Sequence, residues 1–352
     1  RQIYRCFSCG AGGDVFKFVM EYENLTFPEA VRVLADRAGV ALPEQDNSRE
    51  ARQQADLKAQ IMEMNRLAAS YYYYILRQPA GKQGMDYLLG RRLDQETMKK
   101  FGLGYADRRS SLYQYLKSKG YGDQILKESG LMQVDEKRGM YDKFWNRVIF
   151  PIMDIHNRVI GFGGRVMGDG KPKYLNSPET RVFDKSRNLY GLNLARMSRK
   201  PNMILCEGYM DVIAMHQAGF TNAVASLGTA LTPGHASLIK RYADQVILTY
   251  DSDGAGVRAA LRAIPILKEA GISCKVLNLE PYKDPDEFIK NLGPEEFRQR
   301  VDKARNSFLF EIDVMKREYD LEDPEQKTRF YNSAARKLLE FPEALERDNY
   351  IQ

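Results

Sequence analysis

Short apolar runs alternate with helical patterns along residues 201–292. Four of these runs have the length of buried strands: Met203–Cys206, Ala223–Leu227, Val246–Tyr250 and Cys274–Leu279. Each is followed by a segment in which apolar residues recur with helical spacing. Continuous apolar strands that alternate with helices are typical of a parallel sheet covered on both faces. The pattern therefore predicts an α/β domain in this part of the chain.

The flanking segments follow other patterns. Residues 59–200 mix short helical patterns with strand-like runs and predict an α+β subdomain. Residues 293–352 read as wholly helical, and residues 1–43 carry two short helical patterns. The polar segment 44–58 reads as a linker that leads into a long helix. The predicted fold class is thus α/β, or α+β overall, with a parallel-sheet domain between a mixed and a helical subdomain.

The amino-acid composition excludes several classes of protein. The 352 residues are 43% hydrophobic and 28% charged, which is typical of globular domains and excludes global disorder, collagen and a disulfide scaffold. No apolar run approaches the ~18 residues that suggest a membrane span. Four cysteines favour a reducing compartment. Residue 1 is Arg and no signal peptide follows, so we expect an internal part of a longer intracellular chain.

Acidic residues follow the ends of the predicted strands. Glu207 comes after the first strand and Asp211 one helical turn later, Asp251 and Asp253 come after the third, and Asp284 and Asp286 lie past the fourth. The carboxyl ends of parallel strands share one edge of a sheet, where open α/β sheets bind their ligands. We therefore expect these side chains to converge.

Converging carboxylates repel one another unless a cation or a proton intervenes. An all-oxygen set suits Mg²⁺ or Mn²⁺, and two such ions could serve phosphoryl transfer. Helix capping is the alternative for Asp253. An EF-hand loop does not fit, because Ala255 and Arg262 occupy ligand positions. A haloacid-dehalogenase-type phosphatase also has an Asp-x-Asp after a strand, but leaves Glu207 unexplained.

Positive charge is concentrated just before the acidic sheet. Residues 138–187 hold ten cations and five anions, whereas the whole chain has a net charge of +6. Gly163-Gly164-Arg165 and residues 172–180 read as turn-rich loops that expose backbone N–H groups and cations to phosphate. A basic wall facing a metal-bearing acidic site suits a polyanionic substrate. The alternative is a solvated surface with scattered cations.

The acidic motifs resemble the Toprim fold, which primases, topoisomerases and some nucleases share. The resemblance rests on Glu207-Gly208-Tyr209-Met210-Asp211 and Asp251-Ser252-Asp253-Gly254. It implies that Glu207, Asp251 and Asp253 hold catalytic metal. It also implies supporting roles for Asp211 and for the Asp284 and Asp286 of Lys283-Asp284-Pro285-Asp286.

The basic segment resembles the core of DnaG-type bacterial primases. The resemblance implies a ridge that binds nucleoside triphosphates and template, formed here by Arg147, Arg165, Lys173, Asn176 and Lys185. Arg91 joins this set because Tyr87–Leu93 resembles an earlier motif of the family. At position 92, where the family usually has Gly, this chain has Arg.

Cys6 and Cys9 have the spacing of a metal knuckle, but one pair is half of a tetrahedral zinc site. Residues 1–43 resemble the second half of the N-terminal zinc ribbon of the same primases. We therefore expect Zn²⁺ in an intact chain and weak or absent binding in this one.

The resulting domain prediction is a ribbon half at 1–43, a linker at 44–58, a basic subdomain at 59–200, a Toprim subdomain at 201–292 and a helical subdomain at 293–352.

The resemblance implies a DNA primase, which starts RNA chains on single-stranded DNA template from nucleoside triphosphates and leaves an RNA–DNA hybrid. It implies a cytoplasmic, nucleoid-associated protein. It also implies a replicative helicase as partner, through a C-terminal domain that we do not expect in this chain. Two alternatives stay open: a Toprim nuclease or topoisomerase-like enzyme, and a non-catalytic replication adaptor.

Overall fold

The computed structural model describes residues 3–5, 12–23, 25, 27–42, 49–109, 111–137 and 139–351. Cys6 and Cys9 lie outside these residues. The strands within them are β1 (Ile3–Arg5), β2 (Gly12–Asp14), β3 (Gly104–Ala106), β4 (Met132–Asp135), β5 (Gly139–Asp142), β6 (Arg147–Met153), β7 (Val159–Val166), β8 (Tyr174–Asn176), β9 (Asn202–Cys206), β10 (Ala223–Ala225), β11 (Gln245–Leu248), β12 (Ser273–Val276) and β13 (Arg305–Asn306).

Helices account for most of the remaining described chain. They are α1 (Val15–Glu23), α2 (Phe27–Ala38), α3 (Arg49–Leu76), α4 (Lys82–Gly90), α5 (Gln95–Lys100), α6 (Leu112–Ser118), α7 (Asp123–Glu128), α8 (Leu192–Ala195), α9 (Tyr209–Gln217), α10 (Pro233–Lys240), α11 (Gly254–Glu269), α12 (Pro285–Asp302), α13 (Ser307–Lys316), α14 (Pro324–Leu338) and α15 (Ala344–Ile351). The α12 segment is interrupted at Gly293, whose φ is 83°.

The predicted parallel sheet is confirmed. Its strands lie in the order β10-β9-β11-β12-β13, and all adjacent pairs are parallel except β12 with β13. Alternate residues of β9 enter different cores: Met203 and Leu205 join one buried cluster, while Ile204 and Cys206 join another. Burial on both faces explains why the sequence here is continuously apolar.

A second, antiparallel sheet lies in the preceding subdomain, with strand order β3-β6-β7-β8. The expectation of a loop at Gly163-Gly164-Arg165 is wrong, because all three residues lie within β7 and pair with both β6 and β8. Glycine is needed at 163 for packing. A Cβ atom there would lie 2.6 Å from the hydroxyl oxygen and 2.7 Å from Cε2 of Tyr209.

Two further expectations differ from the structure. Helix α3 begins at Arg49, so the second part of the predicted linker 44–58 is helical. The segment after residue 293 is not wholly helical, because β13 pairs with β12 and extends the parallel sheet by one antiparallel strand. Among the described helices, none combines the length and the apolar character needed to cross a bilayer.

Candidate active site

A cleft of about 320 Å³ opens at the carboxyl edge of the parallel sheet. Strand β9 is followed by Glu207 and strand β11, its hydrogen-bonded neighbour, leads to Asp251. The chain leaves β9 toward β10 on one side, while β11 lies on the other side. The cleft thus lies at the point where the strand order reverses, the usual ligand site of an open α/β sheet.

Four carboxylates line the cleft: Glu207, Asp211, Asp251 and Asp284. The backbone N–H of Asp251 donates to Oε1 of Glu207 at 3.0 Å, which fastens the two strand ends together. Burial raises the pKa of Glu207, and the negative charges of Asp251 and Asp253 raise it further. Burial also raises the pKa of Asp251, with Asp284 and Asp253 adding to the effect against the opposing charge of Lys283.

Asp211 lies deepest of these carboxylates. The first turn of α9 brings it back to the strand end, where its Oδ2 accepts a hydrogen bond from the Gly208 backbone N–H at 3.1 Å. Burial raises the pKa of Asp211 well above its usual range, and the charges of Asp284, Asp251 and Asp286 act in the same direction. These mutual effects show that the carboxylates share one electrostatic environment.

Asp253 does not line the cleft. Its Oδ1 accepts hydrogen bonds from the backbone N–H groups of Ala255 and Gly256, both at 2.9 Å, and so caps helix α11. These hydrogen bonds lower the pKa of Asp253. Asp253 thus caps the helix through Oδ1, and its role as a metal ligand stays a prediction. Gly256 is required beside it, because a Cβ atom there would lie 2.8 Å from the carbonyl carbon of Asp251.

The donor set fits a hard divalent cation, since it consists of oxygens whose repulsion such an ion would relieve. Within the described residues, no three acidic, histidine or cysteine side chains are grouped closely enough to hold a metal ion. Magnesium sites in nucleotide enzymes commonly need only one or two carboxylates, because substrate phosphates supply further oxygens. Glu207 and Asp251 are the pair best placed for this role.

Cations from the preceding subdomain form another part of the cleft wall. Arg91, Arg165 and Lys173 line the same cleft as the carboxylates. The guanidinium carbon of Arg165 lies 4.2 Å from the ring centroid of Tyr87, so a cation–π contact fixes its position. Lys283 lies on the acidic side, where its Nζ is 3.7 Å from Oδ2 of Asp251.

Arg147 is not part of this wall. Its side chain is buried, and its Nη1 donates to the carbonyl oxygens of Gly164 at 3.1 Å and Pro172 at 3.0 Å. Burial lowers its pKa. In this structure Arg147 fastens the loop that contains Lys173, and its expected contact with a ligand stays a prediction. Lys185 does not line the cleft either.

Asp286 does not line the cleft, although its charge acts on Asp211. Its side chain is 3% exposed, and its Oδ2 accepts hydrogen bonds from Lys290 Nζ at 2.6 Å and from Arg91 Nη2. The metal-binding role expected for Asp286 stays a prediction, and the contact that the structure gives it is with these two cations. Successive residues at the start of α12 point in different directions, and only Asp284 faces the cleft.

A hydrogen-bonded chain that the sequence did not reveal joins the two parts of the cleft wall. The hydroxyl group of Tyr209 donates to Oδ1 of Asn176 at 2.7 Å, and Nδ2 of Asn176 donates to the Leu227 carbonyl at 2.8 Å. The Tyr209 ring stacks on Phe150 at 5.0 Å. Asn176 was expected to contact substrate, and it does line the cleft.

The backbone after Arg91 is held in an unusual conformation. Arg92 has a φ of 62°, in the left-handed region that favours glycine. Its carbonyl accepts a hydrogen bond from Gln217 Nε2 at 2.9 Å, and the Asp94 N–H donates to Gln217 Oε1 at 2.9 Å. This turn is thus anchored to helix α9. The left-handed backbone explains why glycine is suited to this position.

Four family profiles match the chain. They are described as CHC2 zinc finger (residues 1–50), DNA primase catalytic core, N-terminal domain (71–196), Toprim-like (204–289) and DnaB-helicase binding domain of primase (308–352). The last match shows that the expectation of no helicase-binding segment in this chain is wrong.

Named relatives agree with these profiles. The DNA primase of Clostridium acetobutylicum is 42% identical over all of this chain and 59% of its own length, and that of Listeria monocytogenes is 36% identical over all of this chain and 58% of its own length. The chain therefore spans less than two thirds of these curated relatives.

Solved structures match as well. A DnaG primase catalytic domain bound to single-stranded DNA is 34% identical, with a TM-score of 0.74 over 84% of this chain and 94% of that one. The zinc-binding and RNA polymerase domains of the Aquifex aeolicus primase are 35% identical, with a TM-score of 0.71 over 99% of this chain and 82% of that one. On sequence, profile and fold together, the chain belongs to the family of bacterial DnaG-type DNA primases.

Proposed function

We propose that this chain is the polymerising core of a DNA primase, which makes short RNA chains on single-stranded DNA from ribonucleoside triphosphates. The observation that carries the proposal is that acidic and basic side chains from two subdomains line one cleft. Glu207 and Asp251 follow strands of the parallel sheet, whereas Arg91, Arg165 and Lys173 belong to the preceding subdomain. The phosphates of a nucleoside triphosphate can bind both groups of side chains. They attract the cations directly, and they bind the carboxylates through a shared divalent ion.

In this proposal the 3′-hydroxyl of the growing chain attacks the α-phosphorus of the incoming nucleotide, and pyrophosphate leaves. Glu207 and Asp251 would hold Mg²⁺, or Mn²⁺ in its place, which supplies charge neutralisation and a more acidic hydroxyl. Arg91, Arg165 and Lys173 hold the phosphates. Catalysis then consists of positioning and electrostatic stabilisation, with no covalent enzyme intermediate.

The same wall of cations would guide the template. Arg165 is stacked on Tyr87, which also lines the cleft, so a fixed charge and an aromatic ring are presented side by side. Single-stranded nucleic acid is generally bound by such pairs, through backbone charge and base stacking. A related catalytic domain has been solved with single-stranded DNA, which supports this part of the proposal.

Template-directed synthesis tests the proposal. The chain is supplied with single-stranded DNA, labelled ribonucleotides and Mg²⁺, and in a parallel reaction with an RNA primer already annealed, so that elongation is measured separately from initiation. The matched variants are Asp251→Asn and Asp244→Asn, carboxylates near opposite ends of β11. Asp244 pairs with Lys240 at 2.7 Å, away from the cleft.

We expect labelled RNA from the wild type and from Asp244→Asn within twofold of each other, and a loss on the order of 100-fold in Asp251→Asn. Shortened DNA without RNA would instead identify a nuclease. If neither reaction yields RNA, including the primed one, the alternative of a non-catalytic adaptor remains and the proposal is contradicted.

We propose further that Cys6 and Cys9 are zinc ligands. The match of residues 1–50 to the CHC2 zinc finger profile supports this. Zinc content of an intact chain, compared with a Cys6→Ser/Cys9→Ser variant, is the test. Equal zinc in both proteins would contradict the assignment.

Residues 308–352 are proposed to contribute to binding of a replicative helicase. Their match to the helicase-binding profile supports this, as does the exposure of three apolar side chains in or beside α14 and α15: Leu339, Leu345 and Ile351. We also propose that the protein works in the bacterial cytoplasm at the nucleoid, which its similarity to DNA primases of bacteria supports. Co-sedimentation with the helicase, before and after Leu345→Asp, tests the partner.

A further inference from the structure

We propose that Asp286 is a positioning residue that holds Arg91 in the wall of the cleft, and that it does not bind metal. The inference rests on the proposed function, because it concerns which residues meet the nucleotide. It is carried by the contacts between the start of α12 and the turn that follows α4.

Asp286 is a buried carboxylate between two cations. Its side chain is 3% exposed, whereas those of Arg91 and Lys290 are 34% and 24% exposed. Both cations donate to the same atom, Oδ2, and Oδ1 has no partner among the described residues. A carboxylate buried to this extent needs cationic partners to remain charged. The two cations at Oδ2 already meet that need.

Two clefts meet at Arg91. It lines the main cleft together with Glu207, Asp251 and Asp284. It also lines a second cleft, together with Asp286 and Lys290, and Asp286 is absent from the lining of the first. Asp286 therefore lies behind Arg91 as seen from the cleft carboxylates. Its direct contact with the wall of the main cleft is the guanidinium group of Arg91.

Hydrogen bonds also hold the backbone next to Arg91 in place. The next residue, Arg92, donates from Nη1 to the Lys290 carbonyl at 3.3 Å and accepts from Gln217 at 2.9 Å. The turn is thus held against α9 and α12, and the Asp286 carboxylate fixes the side chain that leaves it. A guanidinium group is a rigid fork of donors, so fixing one side of it preorganises the others for phosphate.

Two binding affinities distinguish a metal ligand from a residue that positions Arg91. A ligand of the metal determines the affinity for Mn²⁺ alone. A residue that positions Arg91 determines the affinity for the triphosphate when no metal is present. Mn²⁺ binding is measured by electron paramagnetic resonance, and nucleotide binding by a fluorescent ATP analogue in EDTA.

The variants are Asp286→Asn, Arg91→Met, their double mutant and Asp251→Asn. We expect Asp286→Asn to bind Mn²⁺ within twofold of the wild type, and Asp251→Asn to bind it at least about tenfold more weakly. We expect the metal-free nucleotide affinity to fall about tenfold in Asp286→Asn and in Arg91→Met, with no further loss in the double mutant. Lys290→Met is the matched control, because it removes the other cation and leaves Arg91 its carboxylate; its nucleotide affinity should stay within twofold.

Weakened Mn²⁺ binding in Asp286→Asn, to the level of Asp251→Asn, would overturn the inference and leave the proposed function intact. Unchanged nucleotide affinity in Asp286→Asn would overturn it as well. If Asp251→Asn and Arg91→Met both bind their ligands like the wild type, the proposed function fails and the inference fails with it.

Thermal unfolding is recorded for each variant. If Asp286→Asn is not folded, Asp286→Glu replaces it, since it keeps the charge but shifts the carboxylate, and the same two affinities decide.

Discussion

Replacing Gly163 with Ala should lower both the stability of the protein and its affinity for nucleotide in the cleft. Gly163 lies in β7, and a Cβ atom there would lie 2.6 Å from the Tyr209 hydroxyl oxygen and 2.7 Å from Cε2. Real Cβ contacts are never this short, so the ring must move. It has little room, because it stacks on Phe150 at 5.0 Å and meets the edge of Tyr190 at 4.7 Å.

The expected cost has two parts. Forcing one methyl group into a packed core typically costs about 1–3 kcal/mol. Moving the ring also breaks the 2.7 Å hydrogen bond from Tyr209 to Asn176, which contributes about 0.5–1.5 kcal/mol. The free energy of unfolding should therefore fall by about 1.5–4.5 kcal/mol in Gly163→Ala. Because Asn176 lines the cleft, the nucleotide affinity should fall about fivefold, which corresponds to ~1 kcal/mol.

Urea unfolding and binding of a fluorescent ATP analogue measure the two effects. Gly161→Ala is the matched control on the same strand and face, since its Cβ would lie 3.1 Å from the ring of Phe183 and needs only a small adjustment. Tyr209→Phe isolates the hydroxyl group and should cost about 1 kcal/mol. Equal stability of Gly163→Ala and Gly161→Ala, or unchanged nucleotide affinity in Gly163→Ala, would refute the reasoning.

Three further substitutions have expected outcomes. Arg92→Gly should raise the free energy of unfolding by up to ~1 kcal/mol, because Arg92 has a φ of 62°; a loss of stability in urea would contradict this. Lys173→Met should lower the salt-dependence slope of single-stranded DNA binding by about 0.7, and an unchanged slope would remove Lys173 from the phosphate contacts. Asp142 accepts backbone N–H groups of Leu112 and Tyr113 at 2.9 and 2.7 Å, yet burial raises its pKa from 3.8 to about 6. The folded state thus binds the proton more tightly than the unfolded state, so wild-type stability should fall by about 2 kcal/mol as the pH rises from 4 to 7. Asp142→Asn should lack this component of the pH dependence, and the same slope in urea titrations of the variant would contradict the assignment.

Much of the sheet and of its acidic edge could be predicted from the sequence. Strands buried on both faces leave continuous apolar runs, and parallel connections place every carboxyl end at one edge. Glu207 and Asp251 therefore converge as expected, with the Asp251 N–H on the Glu207 carboxylate. The wall of cations was predicted in part, since Arg91, Arg165 and Lys173 do line the cleft.

The sequence could not distinguish residues that share a type but differ in surroundings. Arg147 and Arg165 are both cations on paired antiparallel strands, yet Arg147 is buried against loop carbonyls and Arg165 stacks over Tyr87. Asp284 and Asp286 are two residues apart, yet only Asp284 lines the cleft. Such differences depend on contacts between distant segments. Glycines at 163 and 164 likewise indicated a turn, whereas a neighbouring tyrosine ring is what requires glycine at 163.

Anomalous scattering from Mn²⁺ in crystals of the chain grown with a ribonucleoside triphosphate would test the central claim most directly. The account predicts a peak between the carboxylates of Glu207 and Asp251, with the triphosphate bridging from that ion to Arg165 and Lys173 and no peak at Asp286. A peak elsewhere, or a triphosphate bound away from this cleft, would contradict it.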